Sequence, residues 1–173
     1  MLNICSVTSN KKTIQIALCF LNGEKKEDYE WAIQCFKELL TKYGIIAPII
    51  FITDRELALM GALDLKFPDS AHILCTWHVN MNILANCRKH FPKDKPKPIT
   101  NRTGGRPTNP SNGDFIPDQQ WEEFLKDWVS ILASKSEVEY TNSLMKFRKH
   151  SDAAVTYVED TWLTPWKEKL VQF

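Results

Sequence analysis

Between residues 2 and 89 the apolar side chains change spacing repeatedly, from a period of two to a period near 3.6 and back. A chain with that rhythm must pack helices on strands, because each element has a single apolar face to bury. Residues 2–8 (LNICSVT) are short and β-prone, and Ser9 to Lys12 is a turn. Residues 13–21 (TIQIALCFL) set Ile14, Ile16, Leu18 and Phe20 at period two, which predicts a hairpin. After Asn22 and Gly23 the spacing turns helical through Tyr29, Ala32, Ile33, Phe36, Leu39, Leu40 and Tyr43, with Gly44 where a helix should stop.

The continuous run IIFIT (49–53) has the composition of a strand buried on both faces, and Asp54 ends it. A helix over 55–67, a short strand at AHILC (71–75) and a helix over 77–89 follow; Val79, Ile83, Leu84 and Cys87 form the inner face of the last. The order β-β-α-β-α-β-α predicts an α/β fold, a mixed sheet with flanking helices.

Residues 92–118 hold six of the nine prolines and few apolar residues, so they read as a flexible linker between an α/β segment (1–91) and a helical segment (119–173). In the helical part Trp121, Phe124, Leu125, Trp128, Ile131 and Leu132 share a face. Ser136 and Glu139 are spaced as a capping box, and Thr164 with Pro165 reads as an N-cap followed by proline at N1.

A formal net charge of +1 means that any nucleic-acid-binding surface has to be local. The five cysteines are odd in number, lie in apolar contexts and lack the dense spacing of a disulfide scaffold, which predicts reduced thiols in an intracellular compartment. No apolar run approaches transmembrane length and no secretory leader is evident, so no membrane partner is expected.

Asp54 supports two readings. A carboxylate at the carboxyl end of a central strand faces the crevice where α/β folds bind ligands, and could hold a divalent cation. Alternatively Thr53 and Glu56 form a capping box, with Asp54 at N1 favouring the helix dipole. His72, Cys75 and His78 have the spacing H-x-x-C-x-x-H, short of the four ligands of a structural zinc site; Cys87 and His90 repeat the C-x-x-H spacing within a helix and its end. The Gly-Arg-Pro core of residues 101–107 could enter a minor groove, and the tryptophan-rich end could stack on bases; linker and core packing are the plainer readings. No P-loop, nucleophile elbow or dinucleotide fingerprint is present.

Three longer stretches, VTSNKKTIQIALCFLNGEKKEDYEWAIQCFKELL, FITDRELALMGALDLKFPDSAHILCTWHVNMNI and LTPWKEKLVQF, resemble the transposase domain of Mutator-like elements. Plant far-red-response regulators, which derive from such transposases, carry similar segments. The resemblance implies a ribonuclease-H-like core with an Asp-Asp-Glu triad and two Mg²⁺ or Mn²⁺ ions that promote phosphoryl transfer. Asp54 matches the second aspartate, a catalytic metal ligand. Cys75 and His78 match the C/D-x-x-H signature and would support the site near the metals or the DNA.

The family's first aspartate falls on a strand before the segment matching MLNICSVTS, and its glutamate falls beyond the segment matching WKEKLVQF; neither is present here. Glu137, Glu139 and Glu159 do not sit in the glutamate's context. The expectation is therefore a partial transposase core without its first strand, followed by a helical C-terminal extension. It would be inactive alone and would bind no metal tightly. The resemblance also implies DNA terminal inverted repeats as partner, a nuclear location and assembly with other transposase chains. The alternative is a domesticated, non-enzymatic DNA-binding or transcription-regulating module.

Overall fold

A computed structural model describes residues 1–93 and 118–171, together with the backbone of 95–96 and 115–116. The linker reading and the Gly-Arg-Pro stretch therefore fall almost wholly outside the described residues. The chain divides into two compact units, Met1–Cys75 and Thr76–Phe173.

The first unit opens with β1 (Leu2–Val7) and β2 (Thr13–Cys19), an antiparallel hairpin. Its turn is closed by Lys11 and Thr8 backbone N–H groups donating to Thr8 and Lys12 carbonyls, both at 2.9 Å, with Lys11 at φ +60°. The register jumps after Ile4 pairs with Ala17, because Cys5 pairs with Gln15 and Ile16 is left as a bulge. Ile14, opposite Ser6, thus lies on Ile4's side of the ribbon while Leu18, opposite Asn3, lies on the other. The single period-two face expected over 14–20 is split by that one extra residue.

Helix α1 (Lys26–Lys42) buries Tyr29, Ala32, Ile33, Phe36 and Leu40. It ends in a Schellman motif, with Ile45 N–H on the Leu40 carbonyl at 2.8 Å, Gly44 N–H on that of Thr41 at 3.1 Å, and Gly44 at φ +62°. Strands β3 (Ile50–Thr53) and β4 (Ala71–Leu74) are parallel, paired from Ile50–Ala71 to Thr53–Leu74 and joined through α2 (Leu57–Lys66). Leu59, Ala62 and Leu63 of α2 and the following Phe67 complete a core with α1, and Leu2, Ile4 and Phe51 pack against it.

The expected β-β-α-β-α-β order holds, and the fold is mixed α/β. The single mixed sheet does not appear: β1–β2 and β3–β4 are separate two-stranded sheets. Nor is IIFIT buried on both faces, since Phe51 faces the core while Ile50 and Ile52 remain 49% and 64% exposed. The helix layer covers one side of β3, and no second layer covers the other among the described residues.

The second unit is mainly helical. It comprises α3 (Thr76–Cys87), a 3₁₀ turn at Arg88–His90, α4 (Gln119–Leu132), α5 (Glu137–Phe147), α6 (Asp152–Val158) and α7 (Thr164–Leu170), with a minimal antiparallel pair β5 (Lys95–Pro96) and β6 (Phe115–Ile116). Its core is aromatic: Phe124 stands 4.9 Å from Phe91, 5.4 Å from Trp121 and 4.8 Å from Phe147, ring centre to ring centre. Asp118 caps α4 and Ser136 caps α5. Glu139 completes the second cap one residue early, accepting from Lys135 N–H at 2.8 Å rather than from Ser136. Between α6 and α7 the chain stays helical through a π turn (Glu159–Leu163), so Thr164 begins α7 as its first residue rather than capping it.

Candidate functional site

The parallel β3–α2–β4 unit fixes the position of Asp54. Because Thr53 pairs with Leu74, Asp54 and Cys75 both follow the carboxyl ends of neighbouring parallel strands. Cys75 is held there by its N–H on the Thr53 carbonyl at 2.7 Å. Helix α2 begins only at Leu57, with Glu56 as its N-cap and Glu56 Oε1 accepting from Ala58 N–H at 3.1 Å. The proposed capping box starting at Thr53, with Asp54 at N1, is thus not formed. Thr53 Oγ1 instead donates to the Asp54 carbonyl at 2.8 Å. Asp54 is exposed at a strand end and lies outside the helix.

Tyr29 of α1 senses the charge at this end of the unit. Its phenol is held above the usual range first by burial and then by the carboxylates of Glu24, Glu56, Asp54 and Asp28. The carboxylates lie close enough to act on one hydroxyl, yet no group of three or more His, Cys, Asp and Glu side chains among the described residues has metal-holding geometry. A two-metal phosphoryl-transfer centre needs several oxygen ligands around each cation. The described residues do not fit that centre, and Asp54 by itself does not make one.

The zinc spacing is not realised either. His72 is buried on β4, its Nδ1 2.6 Å from Asp64 Oδ1 and its ring edge-on to Phe51 at 5.6 Å. Cys75 is half-buried, while His78 is exposed in the first turn of α3 against the Trp77 ring, within the second unit. Cys87 is fully buried with its thiol pushed up to about 11 by burial, a shift that Lys89 only partly opposes. Among the three named sites, then, Asp54 and Cys75 share a sheet end and His78 belongs to the other unit.

The glutamates weighed as substitutes have other partners. Lys167 Nζ donates to both carboxylate oxygens of Glu137 at 2.8 and 2.9 Å, and Arg148 Nε donates to Glu159 at 2.6 Å. Trp121, Trp128 and Trp162 are buried, so they serve as core and offer no stacking platform.

Sequence reasoning missed Asn82, whose Oδ1 accepts from both Tyr157 Oη at 2.5 Å and Trp162 Nε1 at 3.2 Å. Nothing in the local sequence marks it, because its partners lie 75 and 80 residues away. It also missed a cavity of about 510 Å³ beside α4 and the end of α5, although the signal, the basic cluster KFRKH (146–150), was legible.

An open parallel β-α-β unit with an exposed carboxylate at its strand end is a common ligand-facing arrangement. Comparison with known proteins makes the class specific. Residues 1–82 match the model of the MULE transposase domain, so the resemblance carried by the sequence holds over that segment. A curated relative, the PKS-NRPS hybrid synthetase cheA of Chaetomium globosum, is 29% identical over 85 residues, covering 49% of this chain. The chain spans only 2% of that relative's length, so the activity in its name is said of that protein alone. No helix among the described residues is long and apolar enough to cross a membrane.

Proposed function

We propose that this chain is a transposase-derived, DNA-acting segment: a partial ribonuclease-H-like core with a helical extension, which binds DNA and by itself does not cut it. The single observation carrying the reading is the match of residues 1–82 to the MULE transposase domain. Asp54 supports it too, standing at a strand end free of helix capping.

We take the non-enzymatic form of this reading, with Asp54 exposed at a strand end. On this reading Asp54, Cys75 and His78 retain the ancestral pattern while DNA binding carries the function, in a nuclear setting. The test incubates duplex DNA with the chain and Mn²⁺, alongside an Asp54→Ala variant. Binding without strand cleavage, equal in both proteins, is the expected result. Cleavage abolished by Asp54→Ala would restore a catalytic role, and cleavage that survives the substitution would overturn the assignment of Asp54.

A further inference from the structure

Although the chain is nearly neutral, charge is concentrated in the second unit at the end of α5. Lys146, Lys149 and His150 line the cavity of about 510 Å³ together with Phe91, Asp127 and Glu123. The core builds this juxtaposition: Phe124 packs against Phe91, Phe147 and His150 at 4.9, 4.8 and 5.6 Å, fixing the α5 end against α4. His150 Nε2 meets Asp127 Oδ2 at 2.9 Å, so that carboxylate already has a partner in the wall. Glu123 accepts from Gln119 Nε2 at 2.9 Å and, among the described residues, meets no cationic partner.

Lys146 and Lys149 are exposed and, among the described residues, neither meets a carboxylate. Two neighbouring basic groups are occupied, Arg148 by Glu159 and Lys167 by Glu137. A cleft with two ammonium groups on one wall that meet no carboxylate among the described residues is suited to an extended polyanion whose charges are spaced along a backbone. The opposite wall, with Glu123, disfavours an anion seated deep in the cavity and places it along the lysine rim.

We propose that the Lys146–Lys149 rim of this cavity is a docking surface for the phosphate backbone of duplex DNA. The inference rests on the DNA-binding reading above and adds where the phosphates sit. Lysines at such a rim act as point charges on phosphate and carry no base readout.

The test measures fluorescence anisotropy of a labelled 30-base-pair duplex of arbitrary sequence against the full chain over a series of salt concentrations. Lys146→Gln/Lys149→Gln should weaken binding about tenfold at low salt and reduce the slope of log K against log salt by about 2, near 0.9 per phosphate contact. Lys11→Gln/Lys12→Gln removes the same charge from the β1–β2 turn and should change affinity less than about threefold. Glu123→Gln should tighten binding severalfold. Circular dichroism of each variant checks that the fold is retained. If the parent binds and both double variants weaken alike, or the rim variant binds as the parent does, the rim assignment is overturned and DNA binding stands. If the parent does not bind at low salt, both readings fall.

Discussion

At the scale of single residues, burial decides what each reactive group can do. Cys87 is enclosed by α3 and α6, its Sγ 3.9 Å from the Ala154 carbonyl, and its thiol is raised from 9.0 to about 11. The folded state therefore holds the proton more tightly than the unfolded chain. That stabilisation is fully present below about pH 9 and is lost as pH rises through about 11. The loss should amount to about 2 kcal/mol, read from urea unfolding at pH 8 and at pH 11, and Cys87→Ala should remove that share of the slope. The raised phenols of Tyr29 and Tyr140 act in the same direction at higher pH and will remain in that variant. The burial of Cys87 was legible, since it stood on the predicted inner face of α3 with Val79 and Ile83. Asp54 was legible as a strand end; its alternative reading as a helix start arose because Thr53 and Glu56 have capping-box spacing whether or not the helix begins there. The helix starts three residues after Asp54, where Glu56 caps it.

At the scale of elements, the changes of apolar spacing predicted the helices and strands from β1 to α3, since each is short and bounded by a turn signal. What it could not give was pairing. Which strands join is decided by contacts distant in sequence, and here they form separate pairs. The same limit hid Asn82, which ties α3 to α6 and to the π turn through Tyr157 and Trp162. The π turn keeps Trp162 facing inward, buried at 4% exposure. Asn82→Leu removes the acceptor shared by the Tyr157 hydroxyl and the buried Trp162 indole and should cost about 2–4 kcal/mol, measured by chemical denaturation. Adding Tyr157→Phe should recover part of that loss, because the second change removes the hydroxyl that donated to Asn82.

For the whole molecule, the division at Cys75 implies two cores of different quality. The first unit leaves Ile45, Ile46, Ile49, Ile50 and Ile52 exposed beside two-stranded sheets, whereas the second closes around Phe124, Trp128 and Phe147. Five of the six tryptophans lie beyond residue 75, with Trp31 alone before it, so indole emission reports mainly on the second unit. Far-ultraviolet circular dichroism reports on both, and its urea transition should begin at lower denaturant than the fluorescence transition; coincident curves would show a single cooperative unit. The division itself was not legible, because the sequence places its most obvious break in the proline-rich stretch and none at the β4–α3 junction. The bulge in β2 acquires a further meaning at this scale. From Thr13 to Phe20 the strand carries no charged side chain, and its outer edge is unpaired among the described residues. Such an edge is a template for adding copies of itself, and sheets that stay dispersed interrupt it with lysine, proline or an irregularity. Ile16 supplies the irregularity, so the same extra residue that split the hairpin's apolar face also breaks the regular edge that such a template needs.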